Sequence, residues 1–365
     1  MTQRRGVLAL LVLVVFASSM TLFGQAKDDK KQDEKQKKEI QNIVKIVDDS
    51  AAGQPAPNDL SLSWLREDVL KAQGNKEYVP FTVSLDPSKV GGGNVAFYWR
   101  VVSKGPAAAA AAPDPAKKDD KKDKDKDKDK DKDKDKGKKT EYAYEDITFV
   151  PVVAGQNPLH ISRSFTVPAG TYDVYLVAKE PTPDKAPKNA PPPKASVIKQ
   201  TVTVPDFWNN ELATSTVIIA QRIDPLAAPL TPQQQADRPY ALGQMEILPT
   251  FETKFTKKSE LSTFMLIYNP KVDSSNKPDV SVEYNFYQKQ AGAPEKFFNK
   301  TNPQNLNAQT LPPQFDLAAG HQLQSGQAVP LASFPEGDYR LEIKVTDKIA
   351  NKTLTKEISF TVVSS

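Results

Sequence analysis

Seven Asp-Lys pairs occupy residues 123–136 without interruption. Carboxylates at every second position invite comparison with a calcium loop. Asp131, Asp133 and Asp135 match the first, third and fifth ligand positions of an EF-hand. The sixth position, which needs glycine for its sharp turn, is Lys136, and the twelfth, which needs a bidentate glutamate, is Tyr142. Lysines also flank these carboxylates, so no metal is assigned there. Nucleic acid is ill served too, because an aspartate repels phosphate between successive lysines. As a helix the run would set like charges four residues apart along its whole length. As a strand it would have nothing apolar to bury. It therefore reads as a disordered, solvated spacer.

The rest of the chain offers little reactive chemistry. Cysteine is absent and the histidines are His160 and His321, which excludes thiolate chemistry and multi-histidine metal centres. No GxSxG, HExxH, Walker or GxGxxG pattern occurs. Residues 90–94 are glycine-rich but lead into a strand pattern, as a hairpin turn does. Asp273-Ser-Ser-Asn-Lys starts like a metal-dependent adhesion motif, but Lys277 stands where its last serine belongs. No catalytic residue, cofactor or metal ligand follows. Aromatic side chains are the better binding prospects. Trp64, Trp99 and Trp208 could line a sugar platform, although Trp99 shares a face with Phe97 and Val101 and so belongs to a core. Trp208 and its neighbour Phe207 stand beside a connection between two repeats and are the candidate binding residues. Packing between the repeats is the competing account of this pair.

Alternating side chains define the elements that must position these residues. Val95, Phe97, Trp99 and Val101 fall on one face of a strand; so do Val280, Val282, Tyr284 and Phe286, and Tyr339, Leu341, Ile343 and Val345. Period-two alternation with a polar opposite face predicts antiparallel strands half covered by a core. Residues 167–178 and 334–345 share the pattern apolar-Pro-x-Gly-x-Tyr followed by alternation. Upstream, residues 78–87 align with 261–270, matching Phe81 with Phe264 and Pro87 with Pro270. Two copies of one β-module are therefore expected. Gly170 and Gly337 can supply the positive φ of a tight turn. Tyr172 and Tyr339 then resemble the tyrosine corner of immunoglobulin-like sandwiches, which makes all four residues structural.

The expected organisation is all-β: two tandem immunoglobulin/fibronectin-like antiparallel β-sandwiches, a short N-terminal helix and disordered insertions. Arg4, Arg5, an apolar run over 6–23 and Gly24-Gln25-Ala26 predict a signal peptide over 1–26. After its cleavage no transmembrane segment remains. Residues 27–59 form a charged helix, with Ile40, Ile43, Val44 and Val47 at helical spacing, and a linker. The first sandwich spans 60–207, with a disordered insertion over 104–140 and a Pro-rich loop over 180–195. A connecting strand and linker fill 208–239, and the second sandwich spans 240–363. Without cysteine, stability must come from packed apolar surface.

Three stretches carry a resemblance: "SLSWLREDVLKAQGNKEYVPFTVSLD", "LATSTVIIAQRIDPL" and "PLASFPEGDYRLEIKVTDKIANKTLTKEISFTV". They resemble a family of exported acidobacterial proteins. The second module is also similar to the β-sandwich region of bacterial proteins that bear a Gly-Trp-x-Thr-Asp domain. That signature is absent here, so no functional residue carries over. The resemblance implies a bacterial, exported setting. The expected function is a non-catalytic binding or scaffolding module of the envelope or extracellular space, with an envelope protein or a polysaccharide as partner and no nucleic acid. A carbohydrate-active hydrolase using an Asp/Glu pair, or a carbohydrate-binding module array, is the alternative.

Overall fold

The computed structural model describes residues 22–105, 142–153, 157–183, 190–290 and 292–364. The Asp-Lys run, most of segments 1–26 and 104–140, and part of the 180–195 loop lie outside the described residues.

Helix α1 (Leu22–Ala51) leads the chain. The first sandwich follows with β1 (Ser63–Glu67), β2 (Leu70–Lys71), β3 (Glu77–Leu85), β4 (Asn94–Ser103), β5 (Tyr144–Pro151), β6 (Leu159–Val167), β7 (Gly170–Lys179) and β8 (Ala195–Val204). β3 pairs with β6 on one edge and with β1 and β2 on the other, while β5-β4-β7-β8 make the opposing sheet. Phe81, Phe97, Trp99 and Phe165 meet between the sheets, with Phe81 edge-on to Trp99 at 6.1 Å between ring centroids.

The connecting segment supplies β9 (Ala213–Thr214), β10 (Ile218–Pro225) and the short helix α2 (Pro232–Asp237). Then come β11 (Ala241–Leu242), β12 (Met245–Pro249), β13 (Lys254–Thr256), β14 (Glu260–Tyr268), β15 (Val280–Gln290) and β16 (Ala293–Lys300). β17 (Gln304–Leu306), β18 (Leu323–Pro330), β19 (Gly337–Asp347) and β20 (Lys352–Val363) complete the chain. One sheet runs β11-β12-β10-β14-β18, with β9 also on β14. The other runs β13-β20-β19-β15-β16, with β17 also on β15. Only β13 on β20 is parallel among these described pairs. β10 thus belongs to the second sandwich, paired with β14 and β12.

The two sandwiches share a plan. The pair β3–β6 corresponds to β14–β18, and the sheet β5-β4-β7-β8 corresponds to β16-β15-β19-β20. Apart from α1 and the short α2 the protein is therefore all-β, built from tandem fibronectin-like sandwiches. The tyrosine corner occurs twice. Tyr172 donates its hydroxyl to the Pro168 carbonyl at 2.8 Å, and Tyr339 donates to Pro335 at 2.8 Å. Gly170 and Gly337 have φ of 156° and 141°, where a side chain would strain the turn.

One detail of the repeat is corrected by the structure. Phe81 faces the core of its own sandwich, but Phe264 points out of the second sandwich towards the first. The inward row of β14 is Leu261, Met265 and Ile267. The alignment is off by one residue, which in a strand exchanges faces. Both faces of β14 are buried, so its apolar run carries no parity to read.

α1 is not a separate appendage. Ile43 and Val47 are fully buried against Ala96, Tyr98, Tyr175, Val177 and Val197 on the outer face of the β5-β4-β7-β8 sheet. The face that looked solvent-exposed is thus covered. Burying two β-branched side chains stabilises this contact by roughly 3–6 kcal/mol. Polar clamps flank it: Asp48 pairs with Arg100 at 2.6 Å, and Glu39 pairs with buried Lys179 and accepts from Thr182. Among the described residues, no helix is long and apolar enough to cross a membrane.

Candidate functional site: the cleft between the sandwiches

The site is shaped by how the two sandwiches join. Ile218, Ile247, Phe264, Leu266 and Tyr268 leave the second sandwich and merge with the core of the first. A polar lock sits among them. Asp68, fully buried, accepts two bonds from Arg66 at 2.6 Å and one from the Tyr240 hydroxyl at 2.9 Å. Arg66 also donates to the Val217 carbonyl, and Val69 and Thr216 exchange two bonds. Burial and the Asp68 carboxylate hold the Tyr240 hydroxyl well above its ordinary pKa, so it remains a donor. The Tyr240–Asp68, Arg66–Val217 and Val69–Thr216 bonds cross from one sandwich to the other, which favours a single mutual arrangement.

The candidate residues Phe207 and Trp208 lie at this junction. Phe207 is 3% exposed and meets the Tyr268 ring at 4.8 Å. Trp208 is half-buried; its indole N–H donates to the Lys76 carbonyl at 3.1 Å, and Lys71 covers its ring at 4.3 Å. Trp64 stacks on Phe81 at 5.1 Å, and Trp99 is buried. None of the three tryptophans presents an open sugar platform. His321 accepts the Asp316 N–H through Nδ1 and closes a loop. Among the described residues no group of three metal-ligating side chains assembles.

Glu77 shares this junction. It is fully buried, and Oε1 accepts the Phe207 N–H at 3.0 Å while Oε2 has no partner among the described residues. Desolvation, reinforced by nearby Asp206 and opposed by Lys71, pushes its carboxyl up to about 7.

Where the sandwiches diverge, a cleft of about 800 Å³ opens. Two β-bulges aim at it. In β1, Trp64 pairs with Val83 and Arg66 with Thr82, which leaves Leu65 as the extra residue. In β10, Ala220 pairs with Pro249 and Arg222 with Leu248, which leaves Gln221. Bulges re-aim side chains and recur beside functional sites. Leu65 is 37% exposed and Leu248 is 43% exposed, and both line this cleft. His160, on the outer row of β6, meets the Phe251 ring edge-on at 4.8 Å. Partial desolvation lowers its pKa, so the ring is neutral near pH 7. Glu252 and Glu260 supply carboxylates to the same cleft, and Lys254 supplies one cation.

Sequence reasoning did not find this site. It had His160 in view but no partner for it. Leu65 and Gln221 sit in ordinary strand patterns, and a bulge leaves no mark in one strand's own residues. A second cavity of about 550 Å³ lies beside Phe207 and is lined by the buried Thr214.

No protein-family model matches this chain, and no curated protein does either. Among solved structures, trypsin-activated α2-macroglobulin from Escherichia coli matches 85% of this chain at 9% identity with a TM-score of 0.21. The elastase-activated form matches 81% at 11% identity with a TM-score of 0.21. The chain spans 17% and 22% of the lengths of those two proteins. Likeness at this level defines no shared function.

Proposed function

We propose that the chain is an exported, non-catalytic binding or scaffolding protein of the bacterial envelope or extracellular space, acting through the cleft between its sandwiches. The observation that carries this reading is the Asp68 lock. It holds two sandwiches in one arrangement and so preforms a concave surface with exposed leucines on both walls. Preformed surfaces bind without a cost for ordering.

The test is retention. Immobilised protein is exposed to solubilised bacterial envelope and to purified cell-wall polysaccharide. The expected result is a retained partner that is lost in the double variant Leu65→Glu, Leu248→Glu. No retention by the wild type, or equal retention by the variant, would overturn the reading. Export is tested separately: fractionation and mass spectrometry should find the chain outside the cytoplasm, beginning at Lys27. Glu252 and Glu260 in one cleft favour one alternative, a glycoside hydrolase with a carboxylate pair. Release of reducing ends from polysaccharide, lost in Glu260→Gln, would establish it instead.

A further inference from the structure

We infer that the cleft between the sandwiches takes a neutral saccharide unit; this rests on the binding-protein reading above and assigns that site a ligand class. A pyranose ring presents C–H patches and, around its rim, hydroxyls that both donate and accept. The cleft offers the complement of each. Phe251, held edge-on by His160, and the exposed Leu248 and Leu65 supply apolar surface. Gln221, delivered by its bulge, brings an amide that can donate and accept at once. Glu252 and Glu260 accept from ligand hydroxyls.

Charge narrows the class. Two glutamates face one lysine, Lys254, and the neutral His160 adds no cation. The lining therefore holds no cationic clamp for a phosphate or a uronic acid. A basic peptide would suit the charge but not the walls. Ser84, Ala220 and Ser262 are each paired to strands on both sides, so their backbone groups are engaged in sheet ladders. Sheet faces leave few main-chain groups for an added peptide strand to pair with. Side-chain recognition of a compact polyol is what such faces can do.

The experiment uses the isotopically labelled full chain. Glucose, galactose, mannose, N-acetylglucosamine and their β-1,4-linked dimers are titrated while amide resonances are followed. Glucuronic acid and a lysine-rich peptide are the counter-probes. At least one neutral saccharide is expected to shift the Gln221, Phe251 and Glu260 resonances, with a dissociation constant in the millimolar range or tighter. Gln221→Ala and Phe251→Ala, each checked for an unchanged amide spectrum elsewhere, should weaken it at least tenfold. Absence of shifts for every neutral saccharide overturns the inference. So do shifts that persist in both variants, or a response to the basic peptide alone. If the envelope retention experiment succeeds while the saccharides fail, only this inference falls. If both fail, the parent reading falls with it.

Discussion

Glu77 shows how one side chain can set a property of the whole chain. Its carboxyl sits at about 7 in the folded protein, against an ordinary 4.5. The neutral form is the one the fold accommodates. Its stabilising contribution is therefore complete below about pH 4.5 and is lost as pH rises through 7. Glu77→Gln should leave the melting temperature at pH 5 nearly unchanged and raise it at pH 8, by about 3 °C for each kcal/mol relieved. Equal effects at the two pH values in calorimetry would contradict the burial argument. The corner tyrosines make a second residue-scale case. Tyr172→Phe and Tyr339→Phe each leave a proline carbonyl without its donor. Each should cost about 1–2 kcal/mol in urea unfolding. These tyrosines and their glycines were legible in the sequence because a Gly-x-Tyr spacing records a local geometry. Glu77 was not, since nothing in its neighbours signals that Phe207 will come to donate to it from 130 residues away.

At the scale of elements, both sheet-covering and sheet-protecting devices appear. α1 was legible as an amphipathic helix from Ile43, Val44 and Val47. Its docking place was not, because Ala96, Tyr98 and Arg100 read as an ordinary half-polar strand face. Val47→Asp should therefore destabilise the first sandwich by about 3 kcal/mol or more, through a charge forced into an apolar contact. Hydrogen exchange should show the loss concentrated in β4, β7 and β8; loss confined to α1 would mean that the helix merely rests on the surface. β20 carries the other device. Between Leu354 and Ile358, which pack on the second core, the same face holds an exposed lysine, Lys356. β13 covers only Thr361–Val363, so this part of the strand edge has no strand beside it among the described residues. An inward-facing charge on an edge strand discourages pairing with another chain. Lys356→Ile should shift the protein towards concentration-dependent association in sedimentation; an unchanged monomer fraction would argue that the edge needs no such guard.

For the whole molecule, the Asp68 lock decides whether the sandwiches act as one body or two. Asp68→Asn removes the charge that Arg66 addresses from β1 and Tyr240 from the turn before β11. Breaking one partner of a buried pair costs about 3–5 kcal/mol. The expected calorimetric signature is one transition in the wild type and two in the variant, with the cleft lost as a binding surface. A single transition in both would show that the apolar part of the interface is sufficient.

The sequence by itself determined the β class, the duplicated plan, the corner residues and the absence of cysteine-based bracing. These depend on spacing between near neighbours, which side-chain alternation writes directly into the chain. Only the tertiary structure decided which faces are covered, how β14 is registered against its counterpart, and where the cleft lies. Those follow from contacts between residues far apart in sequence, such as Asp68 with Tyr240 or Val69 with Thr216. A strand buried on one face and a strand buried on both obey the same local propensities, and only packing against another element separates them.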